Sequence, residues 1–340
     1  MNVKDLFRNN IKNLAPYSTA RDEYTGDIGI YLDANENPYD NGYNRYPDPH
    51  QKSLKEKISA IKNIPAEKIF IGNGSDEPID LVYRIFCEPR IHNVVSIAPT
   101  YGMYKVAAQT NDVEFREVML DENFRLDSGK LLDAADEHTR LIFLCSPNNP
   151  SGNLLEKSEV LELLEKFNGI VIIDEAYIDF TEAESTTTLL DQYPNLIVLQ
   201  TLSKAWGLAG LRLGLAFAHP DVSTVMGRVK YPYNINVVTQ KIVSQELEVP
   251  RDTQIKEIVT ERRNLEETLP AIPVIKKVYP SDANFILVKV DEPRNVYEIL
   301  IEEGIIVRDR SKIPGCEGCL RITVGTPEEN RRLIEILNGL

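Results

Sequence analysis

From about residue 66 onward, short runs of Ile, Val, Leu and Phe alternate with stretches whose apolar residues recur at helical spacing. Lys68-Ile69-Phe70-Ile71 gives way to a helical pattern through Leu81 and Phe86, and Val94-Val95-Ser96-Ile97 to another that begins near Tyr101. Val113-Glu114-Phe115-Arg116-Glu117-Val118, Leu141-Ile142-Phe143-Leu144, Ile170-Val171-Ile172-Ile173 and Leu196-Ile197-Val198-Leu199 follow. The last three of these have no polar position, which is what a strand buried on both faces requires. Such runs alternating with helices predict an α/β fold around a mostly parallel central sheet. Ligands of these sheets gather beyond the carboxyl ends of the strands, so the residues just after each run are where chemistry is expected.

After about residue 245 the pattern changes. A long charged helix through Glu257, Glu261 and Arg263 leads into shorter elements, and Phe285-Ile286-Leu287-Val288 and Leu320-Arg321-Ile322-Thr323-Val324 fit a smaller α+β unit. The chain therefore divides into a large domain over 31–245 and a small C-terminal domain over 246–340. Residues 1–30 have no strong period and are expected to form an arm that packs with the small domain.

Composition narrows the class. The 340 residues are 42% hydrophobic and 26% charged, as in ordinary globular chains. Net charge is −14, with an isoelectric point near 4.9, which disfavours nucleic acid and anionic membranes as partners. A small anionic substrate stays possible, because the field inside a cleft is local. The opening Met1-Asn2-Val3-Lys4-Asp5-Leu6-Phe7-Arg8 is too polar for a signal peptide, and no apolar run approaches the ~20 residues of a membrane span. A soluble, cytoplasmic protein is expected. Four cysteines are too few for a disulfide framework. Cys87 and Cys145 read as core residues, and the C-x-x-C of Cys316 and Cys319 lacks the further ligands of a zinc site. His50, His92, His138 and His219 are scattered, so no metal is expected.

Four strand ends carry unusual polar clusters. Gly72-Asn73-Gly74-Ser75-Asp76-Glu77 joins a strand to a helix. Its glycines let backbone approach a ligand, and Ser75 or Asp76 can cap a helix end that attracts phosphate. Cys145-Ser146-Pro147-Asn148-Asn149-Pro150-Ser151-Gly152 is a rigid loop that presents amide side chains. Asp174-Glu175-Ala176-Tyr177 places an acid at the end of a buried strand, where it needs a positive partner. Thr201-Leu202-Ser203-Lys204 puts a lysine just past a buried strand, and Arg212 further along is suited to pair with an anion.

In this order the motifs resemble the fold-type I aminotransferases of class II, which depend on pyridoxal 5′-phosphate (PLP). The finer pattern is similar to the branch of that family that acts on histidinol phosphate in histidine biosynthesis. It is carried by Leu32-Asp33-Ala34-Asn35-Glu36-Asn37-Pro38, Asn44-Arg45-Tyr46-Pro47-Asp48 and Pro99-Thr100-Tyr101-Gly102-Met103-Tyr104, with Val307-Arg308-Asp309 and Leu320-Arg321-Ile322-Thr323-Val324-Gly325 near the end. The likeness runs from about Asn13 to the C-terminus. Trp206 stands where Phe is usual and Ser151 where Thr is usual, and neither change removes a group the chemistry needs.

The resemblance implies PLP held as a Schiff base on Lys204, which also serves as the general base. It implies Asp174 on the pyridine nitrogen, Tyr177 and Asn149 on the ring oxygen, and Tyr101 on the ring face. Gly74, Ser75, Asp76, Thr201, Ser203 and Arg212 would hold the cofactor phosphate, joined by Tyr46 from the second subunit of a homodimer with shared active sites. Arg308 and Arg321 would meet the anionic end of the substrate, with Tyr17 and Asn35 as further contacts. The reaction implied exchanges an amino group between L-histidinol phosphate and 2-oxoglutarate, giving imidazole acetol phosphate and L-glutamate. Sibling activities of the same fold are amino transfer from aromatic amino acids and decarboxylation of phosphothreonine. A PLP-binding regulator is disfavoured by the acidic charge and the absence of a DNA-binding segment.

Overall fold

The computed structural model describes residues 2–17 and 29–340. Its centre is a seven-stranded sheet of β1 (Ile69–Asn73), β2 (Asn93–Ala98), β3 (Glu114–Met119), β4 (Thr139–Cys145), β5 (Ile170–Asp174), β6 (Leu196–Thr201) and β7 (Leu213–Ala218). The strands lie in the order β1-β7-β6-β5-β4-β2-β3. β2 to β6 pair in parallel, as expected of apolar runs alternating with helices. β7 is antiparallel to both neighbours and was not anticipated. Its sequence, Leu-Gly-Leu-Ala-Phe-Ala, is poor in β-branched residues and directly follows the lysine and arginine motif, so it does not read as a strand.

Each face of the sheet is covered, and residue parity decides which face a side chain serves. Ile142, Leu144, Val171 and Ile173 belong to one apolar layer, and Leu141, Phe143, Ile170 and Ile172 to the other. Asp174 has the parity of Ile170 and Ile172 and so emerges on the second side, where Tyr104 is packed. β3 lies at the edge, and none of its residues is buried.

The smaller unit is a four-stranded antiparallel sheet in the order β10-β11-β9-β8, with β8 (Ile275–Tyr279), β9 (Phe285–Val290), β10 (Arg308–Asp309) and β11 (Cys319–Thr323). It has its own core of Ile286, Val288, Leu320 and Ile322, with Leu265, Leu300, Leu333 and Leu337 from its helices. The long charged helix is Asp252–Thr268. The beginning of the chain departs from expectation. Val3, Phe7 and Ile11 are buried among Phe70, Ile85, Phe86 and Val225, and the Arg8 amide donates to Ile85 O at 2.9 Å. Residues 2–14 thus pack on the large unit rather than the small one, because their apolar residues match the outer face of its helices. The rest of the expected arm, 18–28, lies outside the described residues. No described helix is long and apolar enough to cross a membrane.

Candidate active site

A cleft of about 320 Å³ opens where β1, β4, β5 and β6 end and the small unit faces them. The turn after β1, the loop after β4 and the end of β5 all border it. The turn after β1 holds Ser75 and Asp76 at the start of a helix over Asp76–Phe86. Ser75 occupies the cap position, yet its hydroxyl takes no bond from the first helical turn, contrary to the expected cap. The amides there are left for an anion, which is what a helix N-terminus attracts. Gly74 has φ +71° and lies so close to the Arg212 guanidinium that a side chain would displace it. Gly214 of β7 is tighter still: a Cβ there would fall on the backbone of Gly74 and Ser75.

Arg212 itself adopts φ 52°, a left-handed conformation that costs an arginine on the order of 1–2 kcal/mol. That turn aims its guanidinium at Asp76, 3.3 Å away, and at the rim of the cleft. Thr201 ends β6, and its hydroxyl bonds Ser203 Oγ at 3.0 Å, so both hydroxyls border the same corner. A dianion seated there would meet hydroxyls, helix amides and one guanidinium.

Asp174 is 2% exposed and accepts the Tyr104 hydroxyl at 2.7 Å and the Ala176 amide at 3.1 Å. Burial raises its pKa to about 6, and the two hydrogen bonds oppose that rise. No described cation forms a salt bridge with it. A buried acid of this kind fits a cofactor ring whose nitrogen carries a proton. Lys204 lies across the cleft with its Nζ 5.7 Å from the centre of the Tyr177 ring. Its pKa is lowered, first by burial and then by the charge of Arg321, so its amine yields a proton more readily than a solvated lysine.

Asn149 ties the two units together. Its Nδ2 faces the Tyr177 hydroxyl at 3.4 Å, and its Oδ1 accepts from Arg321 at 2.6 Å. The loop beneath is held by Asn148, which is fully buried and donates to Pro99 O and Ser151 Oγ while accepting from Thr100. Tyr177 packs edge-on against Phe285 of β9, and the Arg321 guanidinium lies 5.1 Å from the same ring. Tyr101 borders the cleft and donates to Asp76 at 3.2 Å.

Most residues expected in one site therefore line one cleft: Ser75, Asp76, Tyr101, Asn149, Asp174, Tyr177, Thr201, Ser203, Lys204, Arg212, Arg308 and Arg321. Gly74 lies just behind it, its amide bonded to Arg212 O. Tyr17, Asn35 and Tyr46 are exposed and do not line the cleft of their own chain; the Tyr46 ring stacks on Tyr233 at 4.4 Å. Sequence reading missed Tyr104 and Arg310. Tyr104 follows Tyr101 by three residues at the start of a helix over Met103–Thr110, which was a usable signal, whereas Arg310 follows a strand of only two residues.

The family model for aminotransferases of class I and II matches residues 30–337. The chain is 54% identical over 340 residues to the histidinol-phosphate aminotransferase of Parabacteroides distasonis, with 99% of each chain covered. It is 51% identical to that of Cytophaga hutchinsonii, with 98% of each covered. Among solved structures it resembles the histidinol-phosphate aminotransferase from Clostridium acetobutylicum, with a TM-score of 0.80 and 24% identity, covering 87% of this chain and 90% of that one. At that identity the likeness speaks for the fold.

Proposed function

The chain belongs to the class I and II aminotransferases, and on that premise we propose that it moves an amino group between L-histidinol phosphate and 2-oxoglutarate. The products are imidazole acetol phosphate and L-glutamate. One observation carries this reading: among the described residues, the cleft holds a lysine of lowered pKa, a buried acid without a cation, and, in Arg308, Arg310 and Arg321, arginines without a carboxylate. Relatives named for the same reaction match over the full chain at about half identity.

Pyridoxal phosphate, when bound, supplies a ring that stores the electron pair left as the substrate loses its proton. Lys204 would hold it, and its Nζ is the base that takes a proton from the amine-bearing carbon of the substrate. Asp174 would keep a proton on the ring nitrogen, and Tyr104 fixes the carboxylate that does so. Tyr177 and Asn149 would bond the ring oxygen, and Tyr101 would cover the ring face. Thr201, Ser203, Arg212 and the amides of Ser75 and Asp76 would hold its phosphate, with Gly74 giving the turn room beside Arg212. Tyr46 would reach that phosphate from a second copy of the chain, so the working unit is a homodimer. Arg308 and Arg321 would bind the substrate phosphate, or the distal carboxylate of 2-oxoglutarate, with Tyr17 and Asn35 beside them.

The test is a steady-state assay of the pure holoenzyme with histidinol phosphate, phenylalanine and phosphothreonine, each with 2-oxoglutarate as acceptor. Histidinol phosphate should give the highest kcat/KM. A good rate with phenylalanine and a negligible one with histidinol phosphate would replace this reading by an aromatic aminotransferase. Release of carbon dioxide from phosphothreonine would replace it by a decarboxylase.

A further inference from the structure

Arg310 follows β10, and its amide donates to Cys319 O at 2.9 Å, so the strand pairing with β11 continues through it. Residues two apart in an extended chain share a face, which places Arg310 beside Arg308. Arg321 stands directly opposite Arg308 in the register, and opposed residues share a face too. All three line the cleft. Among the described residues none of the three forms a salt bridge, and the side-chain hydrogen bond they make is that of Arg321 to Asn149. The Nε atoms of Arg310 and Arg321 are buried without a partner.

Guanidinium does not shed its charge in a protein, so like charges crowded together with unmet donors are unfavourable until an anion completes them. Burial and the charges of Arg321 and Arg308 already lower the pKa of Arg310. Two guanidiniums match the two oxygens of a carboxylate. A phosphate monoester offers a third terminal oxygen and nearly twice the charge, so a third guanidinium gains more from it.

The turn that carries Arg310 does not need its side chain. Backbone bonds of 2.9 Å run from Ile313 to Arg310, from Cys316 to Ile313 and from Cys319 to Cys316. Both cysteines are buried, and Gly315 lies so close to Pro99 and Met119 that a side chain there would crowd them. The turn is thus secured by its main chain and its apolar contacts, and the guanidinium is spare.

We propose that Arg310 is a third anion-binding group at the substrate end of the cleft, the one that sets the preference for a phosphate dianion over a carboxylate. The proposal rests on the function given above. Its test compares Arg310→Gln and Arg310→Lys with the native holoenzyme in each half-reaction taken separately, histidinol phosphate in one and glutamate in the other. Arg310→Gln should lower kcat/KM for histidinol phosphate roughly 10- to 100-fold and that for glutamate by less than about 3-fold, as loss of a charge-assisted contact made mainly by phosphate predicts. Arg310→Lys should recover part of the loss, and the melting temperature should not fall in either variant.

Inorganic phosphate, as a competitive inhibitor of the glutamate half-reaction, gives a readout independent of the substrate's identity. Its inhibition constant should rise by about the same factor of 10 in Arg310→Gln, for the same loss of contact. Equal losses for both substrates, or undiminished phosphate inhibition, would overturn the role of Arg310. A native enzyme inert toward histidinol phosphate, with phosphate inhibition still weakened by Arg310→Gln, would instead reject the substrate reading and keep the role.

Discussion

Asp174 shows how one residue's surroundings set its chemistry. The carboxyl group ends a strand with no exposed atom to speak of, and burial is the first cause of its raised pKa. The sign of the resulting pH dependence follows from linkage. A carboxyl whose folded pKa exceeds its unfolded one binds its proton more tightly when folded, so it favours the folded state at low pH. That contribution is lost as pH rises from the unfolded value of 3.8 through about 6. Between those limits the cofactor-free protein should lose roughly 3 kcal/mol through this group, at 1.36 kcal/mol per pKa unit. Asp174→Asn removes the titration, so the difference in melting temperature between native and variant apoproteins should grow in the variant's favour from pH 4 to pH 7. With the cofactor bound the order should invert, because a protonated ring nitrogen restores the partner that the buried charge lacks. A difference independent of pH in the apoprotein would mean that burial does not move the Asp174 carboxyl from its unfolded value.

At the scale of elements, the helix-bearing turn after β1 depends on a glycine that is far along the chain yet lies directly against it in space. Gly214 of β7 faces Gly72 in the register, and the turn at Gly74 and Ser75 closes directly over it. Gly214→Ala should push β1 from β7 and shift the phosphate-holding amides. Overpacking of this kind costs about 1–3 kcal/mol, so the melting temperature should fall and the cofactor should bind at least ~10-fold more weakly in a fluorescence titration. Gly210→Ala is the control, since a Cβ there meets nothing within 4 Å. Matching behaviour of the two variants would show that the close approach is relieved at no cost.

The same elements explain what could be read from the chain in advance. β4, β5 and β6 were legible because burial on both faces leaves them apolar at nearly every position, and their ends named Asn149, Asp174, Thr201 and Lys204. β7 was not legible, because the close packing at Gly214 and the small Ala216 and Ala218 suppress strand character. Arg310 escaped because β10 is two residues long, too short for an alternation to stand out. The packing of residues 2–14 escaped because a segment with no strong period says nothing of which surface Val3, Phe7 and Ile11 will meet.

At the scale of the whole molecule, Tyr46 stands exposed and away from the cleft of its own chain. Residues 29–46 form neither helix nor strand, and they expose Ile30, Leu32, Tyr39 and Tyr43, an apolar display that a monomer in water has little reason to keep. Tyr231 is similarly exposed, and Tyr46 lies on the same chain segment, away from the cleft of its own chain. These features support the proposed homodimer, in which each cleft takes Tyr46 from the other copy. The arrangement has a test that distinguishes it from a site complete within one chain. Lys204→Ala should be inactive and lack the visible absorbance of a lysine-bound cofactor. Tyr46→Ala should bind the cofactor weakly, since it loses a contact to the phosphate. The two variants, co-expressed with different tags, give mixed dimers that can be purified. In such a dimer one cleft combines both defects, and the other takes Lys204 from one chain and Tyr46 from its partner, both native. Mixed dimers should therefore show about half the native activity, one intact site of the two that twofold symmetry provides. If Tyr46 served the cleft of its own chain, no intact site would exist in the mixed dimer, and its activity would be no more than about half that of the Tyr46→Ala dimer.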